Sequence, residues 1–270
     1  MRISDKISEL RERGEGALVT FITAGDQNKD STVEYLKALC DSADILELGI
    51  PFSDPVADGK TIQAADIRAL KNDFRVSDTF EIVERFRKES DKPLVLMTYY
   101  NSIYVRGMEK FLTEAKRAGA DGLIIVDLPV EEGREYIERC RELNLQTIFL
   151  SAPNTSDERL MEIDRATSGF LYLISLYGTT GARNEMSKEA FLLLARAKNI
   201  CKNPLCVGFG ISNPKDAESL IRAGADGVVV GSAFVNIIGE KRGREETVIK
   251  LKKKAEELKD ALKMPKTFGF

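Results

Sequence analysis

The chain has 270 residues, of which 43% are hydrophobic and 31% charged, and its formal net charge is −3. This composition is typical of a globular protein with a sizeable core, and the length fits one large α/β domain or two small ones. The interspersed charges give no indication of binding to nucleic acid or an anionic membrane, and no apolar run resembles a signal peptide or a bilayer span, so we expect a cytoplasmic protein.

In chain order, a predicted N-terminal helix, Ile3–Arg13, is followed by short apolar segments that alternate with amphipathic ones. The amphipathic segments repeat apolar residues at helical spacing, as in the run from Met108 to Ala115. The apolar segments are rich in branched residues and are predicted to be strands: Leu18–Thr23, Asp44–Leu48, Leu94–Tyr99, Gly122–Val126, Thr147–Leu150, Phe170–Ser175, Leu205–Phe209 and Gly227–Val230.

The spacing of these segments predicts the fold. About eight βα units at roughly 25-residue spacing match a closed (β/α)8 barrel, and near-continuously apolar strands are expected when both faces of a sheet are covered. A doubly wound open sheet is the competing fold, but no Gly-x-Gly-x-x-Gly follows the first strand. We therefore predict an α/β protein, a single-domain (β/α)8 TIM barrel over residues 1–270, with the extra N-terminal helix covering the bottom of the barrel.

The sequence Arg-Ala-Gly-Ala-Asp-Gly occurs twice, at residues 117–122 and 222–227. In each copy a glycine is predicted to end a helix, and Ala-Asp-Gly leads into a strand. The other units lack this motif, so it is typical of βα barrels and does not indicate a solenoid repeat.

The absence of one residue type narrows the chemistry. The sequence contains no histidine, which excludes Ser-His-Asp catalysis, Cys-His catalysis and metal sites with histidine ligands. The cysteines lack Cys-x-x-Cys spacing and are predicted to be small buried residues in a reducing compartment: Cys40, Cys140, Cys201 and Cys206. Proton transfer then depends on Asp, Glu, Tyr, Lys or Cys.

The segment Leu46–Gln63 is the most informative part of the sequence. It begins as an apolar strand that contains Glu47 and continues as a loop with Asp54 and Asp58. An ionised glutamate among Ile and Leu is costly unless it is paired, solvated in a cleft or partly protonated. A carboxylate on a strand that faces a second one in a loop suits proton transfer on a bound substrate. A structural interpretation stays open, in which Glu47 forms a salt bridge inside the barrel and the aspartates cap turns.

Two glycine-containing loops follow the seventh and eighth predicted strands, where (β/α)8 barrels commonly bind phosphate. They are Gly208–Ser212 and Gly231–Phe234, and a short helix is predicted to open at Ser232 in the second. Glycine lets the backbone approach an anion closely, and a helix N-terminus adds N–H groups and a dipole. These loops predict a phosphorylated substrate. A third glycine-rich segment, Tyr177–Asn184, is polar and suits a lid.

Apolar residues at the predicted strand ends would form the rest of the pocket. The candidates are Phe21, Tyr99, Ile124, Leu150 and Tyr172, although each of them alone also fits a core position. The hydroxyl of Tyr172 needs a partner if it is buried, and we expect that it could orient Glu47.

The chain resembles the tryptophan synthase alpha subunit family over essentially its whole length. Leu46–Gln63 is similar to the signature of that family, and further similar blocks are Phe21–Asp26, Met97–Asn101, Asp127–Pro129, Ala152–Asn154, Thr180–Gly181, Gly208–Ser212 and Gly231–Ala233. The resemblance implies a carbon–carbon lyase of tryptophan biosynthesis. Such an enzyme cleaves indole-3-glycerol phosphate to indole and glyceraldehyde 3-phosphate, without metal or organic cofactor.

The resemblance also implies roles for individual residues. The catalytic glutamate of the family falls on Glu47, and its indole-binding aspartate, which we also expect to be catalytic, falls on Asp58. The phosphate-binding residues fall on Gly181, Gly210, Gly231 and Ser232, and the other residues expected to bind substrate are Phe21, Tyr99, Tyr172, Thr180 and Phe209.

A pyridoxal-phosphate β subunit that consumes indole is the implied partner, in an α2β2 heterotetramer. The loops Pro51–Asp58 and Tyr99–Tyr104 suit the rim of such an interface, and docking there could order the Gly178–Asn184 lid. One alternative is another phosphate-binding barrel enzyme, such as a ribulose-phosphate epimerase or an indole-glycerol-phosphate synthase. The other is a non-catalytic partner subunit, against which the retention of Glu47 and Asp58 argues.

Three positions depart from the family pattern. Gln27, Lys60 and Ser102 stand where proline is common. Loss of proline increases the conformational freedom of a loop, so we expect these loops to be more mobile before substrate binds. Lys60 is also close to Asp58 in sequence, and its charge could affect that carboxylate.

Overall fold

A computed structural model describes residues 2–174, 188–208, 210–240 and 242–263. In these ranges the strands form one sheet. They are β1 Ala17–Thr23, β2 Ile45–Gly49, β3 Leu94–Thr98, β4 Gly122–Ile125, β5 Gln146–Ile148, β6 Leu150–Ser151, β7 Leu171–Ile174, β8 Leu205–Gly208 and β9 Gly227–Val230. Most strand ends lie within one or two residues of the predicted ones, while Ser175 and Phe209 lie outside the described residues.

The helices alternate with the strands along the chain. They are α1 Ile3–Glu12, α2 Lys29–Cys40, α3 Lys60–Leu70, α4 Val76–Arg87, α5 Tyr100–Arg106, α6 Met108–Ala118, α7 Arg134–Glu142, α8 Asp157–Ala166, α9 Lys188–Ile200, α10 Pro214–Arg222, α11 Ser232–Gly239 and α12 Arg244–Ala261, with a 3-10 turn at Val130–Glu132. Within the described ranges, none of these helices has the length and apolar character needed to cross a membrane.

The sheet closes into a barrel through one interrupted strand. The strand order is β5-β4-β3-β2-β1-β9-β8-β7-β6, and neighbouring strands are parallel. Only Phe149 separates β5 from β6, and its carbonyl accepts a hydrogen bond from the Tyr172 N–H at 3.0 Å. The segment Gln146–Ser151 therefore pairs with β4 through its first half and with β7 through its second. This closure confirms the predicted (β/α)8 barrel and contradicts an open doubly wound sheet.

Alternation along the strands separates two apolar regions. In β2, Leu46 and Leu48 face the layer between the sheet and the helices, whereas Ile45 belongs to the cluster inside the barrel. Because side chains in a strand alternate between faces, Glu47 also points into the barrel. The outward side chains of β2 are thus packed among apolar side chains, and one carboxyl group points inward.

Helix α1 closes the bottom of the barrel, as predicted, and ends at Glu12, one residue before the expected end. Its buried residues Ile3, Ile7 and Leu10 belong to the same cluster as the barrel interior. They recur at the spacing of one helix face, which explains why this short segment folds against the strand ends.

The repeated Ala-Asp motif has a structural role. Asp121 precedes β4, and its Oδ2 accepts the N–H of Leu94, the first residue of β3, at 2.8 Å. Asp226 precedes β9, and its Oδ2 accepts the N–H of Leu205, the first residue of β8, also at 2.8 Å. Each aspartate therefore fixes the start of the neighbouring strand.

The cysteines are free thiols. Cys140 and Cys206 are buried, whereas Cys40 and Cys201 are partly exposed. The prediction of small buried residues therefore holds for two of them and is wrong for the other two, which lie near the ends of helices.

Candidate active site

A cavity of about 110 Å³ lies at the carboxyl ends of the strands. This volume is several times what one water molecule requires, so the cavity can accept part of an organic ligand. The predicted site residues that line it are Phe21, Glu47, Asp58, Tyr172, Gly210, Gly231 and Ser232, together with the wall candidates Ile124 and Leu150. Thr180, Gly181, Phe209 and the predicted lid lie outside the described residues.

Glu47 is buried on the wall of this cavity. It is 1% exposed, and neither carboxylate oxygen has a hydrogen-bond partner among the described residues. The expectation that Tyr172 orients Glu47 through a hydrogen bond is therefore wrong, as is the alternative of a salt bridge inside the barrel. Burial, and then the nearby charge of Asp58, raises the pKa of Glu47 to about 8. The carboxyl is consequently protonated at neutral pH.

The neighbouring strand explains how Glu47 comes to border open space. Phe21 of β1 is the register partner of Glu47, and Val95 of β3 lies on its other side. A Cβ atom at Gly49 would lie 2.6 Å from the ring of Phe21. The glycine therefore lets the Phe21 ring lean over the end of β2, where it forms an apolar wall of the cavity.

Asp58 is held by Tyr99. The Tyr99 hydroxyl donates to Asp58 Oδ2 at 2.7 Å and accepts the N–H of Ala57 at 3.1 Å. The Tyr99 ring stacks on Phe52 with centroids 5.0 Å apart, so one side chain fixes both ends of the loop. Burial raises the pKa of Asp58, and the hydrogen bond from Tyr99 opposes that shift. Tyr99 thus supports the site through Asp58.

Two departures from the family pattern behave differently from expectation. Burial and Tyr99 account for the shifted pKa of Asp58, and the charge of Lys60 does not contribute. Gln27 has a φ of 73°, which proline cannot adopt. Its Nε2 donates to the carbonyl of Ile238 at 2.8 Å, and its Oε1 accepts from the Tyr35 hydroxyl at 2.7 Å. These contacts argue against a looser turn at this position, while the effect at Ser102 stays a prediction.

The predicted phosphate side of the cavity is built on a helix N-terminus. Helix α11 begins at Ser232, immediately after β9, with Gly231 as its N-cap. The first N–H groups of a helix lack partners within the helix and attract anions. Gly210 lies on the same wall with a φ of 79°, a conformation that favours glycine. At Gly231, a Cβ atom would lie 3.2 Å from the Phe21 side chain, so close packing against Phe21 favours glycine at this position.

Sequence analysis missed several residues at or near the site. The cavity is also lined by Ile62, Met97, Val126 and Val229. Asp66 is 5% exposed, and burial followed by the charges of Asp58 and Asp26 raises its pKa to about 8. The available signal was its position between Ala65 and Ala69 on the buried stripe of α3, where an acid is unexpected. Among the described residues, no group of three His, Cys, Asp or Glu side chains could hold a metal ion.

Comparison with known proteins places the chain in a family. The sequence profile of the tryptophan synthase alpha chain matches residues 7–263. A tryptophan synthase alpha chain from Pyrococcus furiosus is 57% identical over 244 residues, which cover 90% of this chain and 98% of the relative. The chain belongs to the tryptophan synthase alpha chain family. Another member, from Methanococcus maripaludis, is 54% identical over 245 residues, or 91% of this chain and 95% of the relative.

Solved structures of the family agree with the fold. A chain of the tryptophan synthase complex from Pyrococcus furiosus matches with a TM-score of 0.85 at 55% identity, covering 90% of this chain and 98% of the other. A chain of the a2b2 complex from the same organism matches with a TM-score of 0.86 at 57% identity and the same coverage. The resemblance inferred from the motifs is therefore confirmed, and with it an enzymatic role.

Proposed function

We propose that this member of the family is a lyase that cleaves indole-3-glycerol phosphate to indole and glyceraldehyde 3-phosphate in the cytoplasm. The reaction is a retro-aldol cleavage, which needs one proton delivered to indole C3 and one removed from the side-chain hydroxyl. The observation that carries the proposal is Glu47, a buried carboxyl on the cavity wall whose oxygens have no partner among the described residues. Such a group is suited to meet a ligand.

One carboxyl group can perform both proton transfers. With a pKa of about 8, Glu47 holds a proton at neutral pH and can donate it to indole C3, giving a carboxylate and a protonated indolenine, which is a cation. The resulting carboxylate then accepts the hydroxyl proton while the carbon–carbon bond breaks and the aldehyde forms. The electron pair of that bond restores the aromatic indole, and Glu47 regains its proton, so the proton balance closes.

Asp58 is proposed to bind the indole N–H. That N–H becomes more acidic in the protonated indolenine, so its hydrogen bond to a carboxylate strengthens as the reaction proceeds. The Tyr99 hydroxyl occupies Oδ2 at 2.7 Å, and the other oxygen would accept the indole N–H. Glu47 and Asp58 line the same cavity, as this division of roles requires.

The phosphate is proposed to bind where Gly210, Gly231 and Ser232 meet at the cavity wall. The N-terminus of α11 supplies N–H groups there, and both glycines let the backbone come close to the anion. Phe21 and Tyr172 would contact the remainder of the substrate. Thr180, Gly181 and Phe209 stay predicted substrate contacts.

A pyridoxal-phosphate β subunit is the proposed partner, in an α2β2 assembly. Two solved relatives are tryptophan synthase complexes, one of them an a2b2 complex. On this chain Val56, Tyr104 and Val105 are 85%, 73% and 78% exposed, and they follow β2 and β3 on the side of the cavity. Exposed apolar side chains next to a cavity suit a protein interface.

Release of indole tests the proposal directly. The purified chain is mixed with indole-3-glycerol phosphate, and indole is measured as the β subunit is titrated in. We expect slow release by the chain alone and faster release with the partner, since a partner that prefers the active conformation shifts the population towards it. Indole glycerol without phosphate is the control and should bind much more weakly. No indole with or without the β subunit would contradict the proposal.

A further inference from the structure

A buried ion pair lies beside the site without touching the cavity. Asp26 follows β1 and is 1% exposed. Its Oδ1 accepts from Arg68 Nε at 2.7 Å, and its Oδ2 accepts from Arg68 Nη2 at 2.8 Å. A bidentate pair of this kind fixes orientation as well as distance. Burial keeps the neighbouring Asp66 largely neutral, with a pKa of about 8, so Asp26 is the main counter-charge of Arg68.

The turn that contains Asp26 and Gln27 connects the C-terminal ends of two helices. Arg68 lies in the last turn of α3, and a Cβ atom at Gly239, the last residue of α11, would lie 3.2 Å from its guanidinium. Gln27 donates to the carbonyl of Ile238 in α11 at 2.8 Å. The Gln27 carbonyl accepts from Asn72, just beyond α3, at 2.9 Å. Both helices are thereby attached to one turn.

The N-terminal ends of these helices form different parts of the site. Asp58 and Gly59 precede α3, while Gly231 and Ser232 begin α11, and all four line the cavity. With a rise of 1.5 Å per residue, α3 is about 16 Å long, so a rotation of about 4° at its far end would move its N-terminus by about 1 Å. A displacement of about 1 Å can cost roughly 100-fold in rate.

We propose that Asp26, Gln27 and Arg68 form a clamp that sets the distance between the indole-binding and phosphate-binding ends of the site. The inference rests on the proposed function, because it requires Asp58 to bind indole and α11 to bind phosphate. The three are positioning residues, since they act through α3 and α11. The affinity of a ligand that occupies one end should not depend on the clamp, whereas the affinity of a ligand that spans both ends should.

This difference allows a test with three ligands. Indole occupies one end, glycerol phosphate the other, and 3-(indol-3-yl)propyl phosphate spans both. The variant Arg68→Lys keeps the charge but loses the two-pronged geometry. The matched control is Arg87→Lys, because Arg87 bonds Asp121 at 2.6 Å and joins α4 to the start of β4, away from the cavity.

We expect Arg68→Lys to leave the Kd of each single-end ligand within about threefold of wild type and to raise that of the spanning ligand by about tenfold or more. Arg87→Lys should change all three by less than about threefold, even if it lowers the melting temperature as much. Gln27→Asn keeps a residue tolerant of positive φ but shortens the side chain that reaches Ile238. It should likewise raise the Kd of the spanning ligand selectively, and it replaces Arg68→Lys in the test if that variant does not fold.

The possible results separate the two proposals. Equal weakening of the spanning ligand in the Arg68 and Arg87 variants would overturn the clamp while leaving the proposed function intact. Proportionate weakening of all three ligands by Arg68→Lys would also overturn it, because damage would then be local to each end. If wild type binds none of the three ligands, the proposed function fails and the clamp with it.

Discussion

Asp44, immediately before β2, and Glu47, at the centre of β2, are buried carboxyl groups with opposite surroundings. Asp44, at the bottom of the barrel, is 6% exposed and accepts from the Leu18 N–H at 2.8 Å and from Lys259 Nζ at 2.9 Å. Glu47, three residues further along, is 1% exposed and has no partner among the described residues. Burial therefore does not distinguish a structural acid from a reactive one. The hydrogen bonds that each acid makes do distinguish them.

The same contrast holds around the barrel. At the bottom, Asp121 and Asp226 hold the first N–H of a neighbouring strand, and each is also paired with an arginine, Arg87 or Arg11. This agrees with the rule that the bottom of a (β/α)8 barrel serves stability and the carboxyl ends of its strands serve function. Substitution of an acid at the bottom should therefore lower stability, and substitution of an acid at the carboxyl ends of the strands should lower activity.

The largest effect is expected for Glu47→Gln. The amide is close in size but cannot donate and recover the proton, so kcat should fall by about 10³-fold or more. The fold and the affinity for substrate should stay close to wild type. Steady-state indole release, circular dichroism and substrate binding measure these three properties. Near-normal turnover would contradict the distinction between a reactive Glu47 and a structural Asp44.

Asp44→Ala should have the opposite result. It leaves the buried Leu18 N–H without its acceptor and removes one of the partners of Lys259, which keeps Glu15 and the Gly16 carbonyl. The free energy of unfolding should therefore fall by about 2 kcal/mol. At temperatures where the variant is folded, kcat should stay within about twofold of wild type, because Asp44 does not line the cavity. Urea unfolding together with indole release checks both values. A lost activity with unchanged stability would contradict the structural role.

Tyr99→Phe should have the smallest effect of the three. It removes the hydrogen bond to Asp58 but keeps the ring that stacks on Phe52. A hydrogen bond to a charged group contributes roughly 1.5–3 kcal/mol, so kcat/KM should fall by about tenfold or more. Tyr136→Phe is the matched control, because it removes a buried tyrosine hydroxyl that donates to the Leu123 carbonyl at 3.2 Å and does not line the cavity. An equal effect of the two changes would mean that Tyr99 does not support Asp58.

The sequence predicts the barrel and its two central acids for a physical reason. The apolar strands can be identified from local sequence and their regular spacing. Glu47 and Asp58 lie within one contiguous segment. The interruption at Phe149 was not predicted, because it lies between β5 and β6, the two ends of the strand order, and depends on how the barrel closes. The pair of Asp26 and Arg68 was also missed, since its partners are 42 residues apart and follow no periodicity.

The central claim is that Glu47 holds a proton at neutral pH, and infrared spectra of wild type and Glu47→Gln test it most directly. Their difference should contain the carbonyl band of a protonated carboxyl at neutral pH, which disappears with a midpoint of about 8. Because the pKa is raised from 4.5 on folding, the stability of wild type relative to the variant should fall by about 1.4 kcal/mol per pH unit as pH rises between these values. A band that is already absent at neutral pH, with titration near 4.5, would contradict the account.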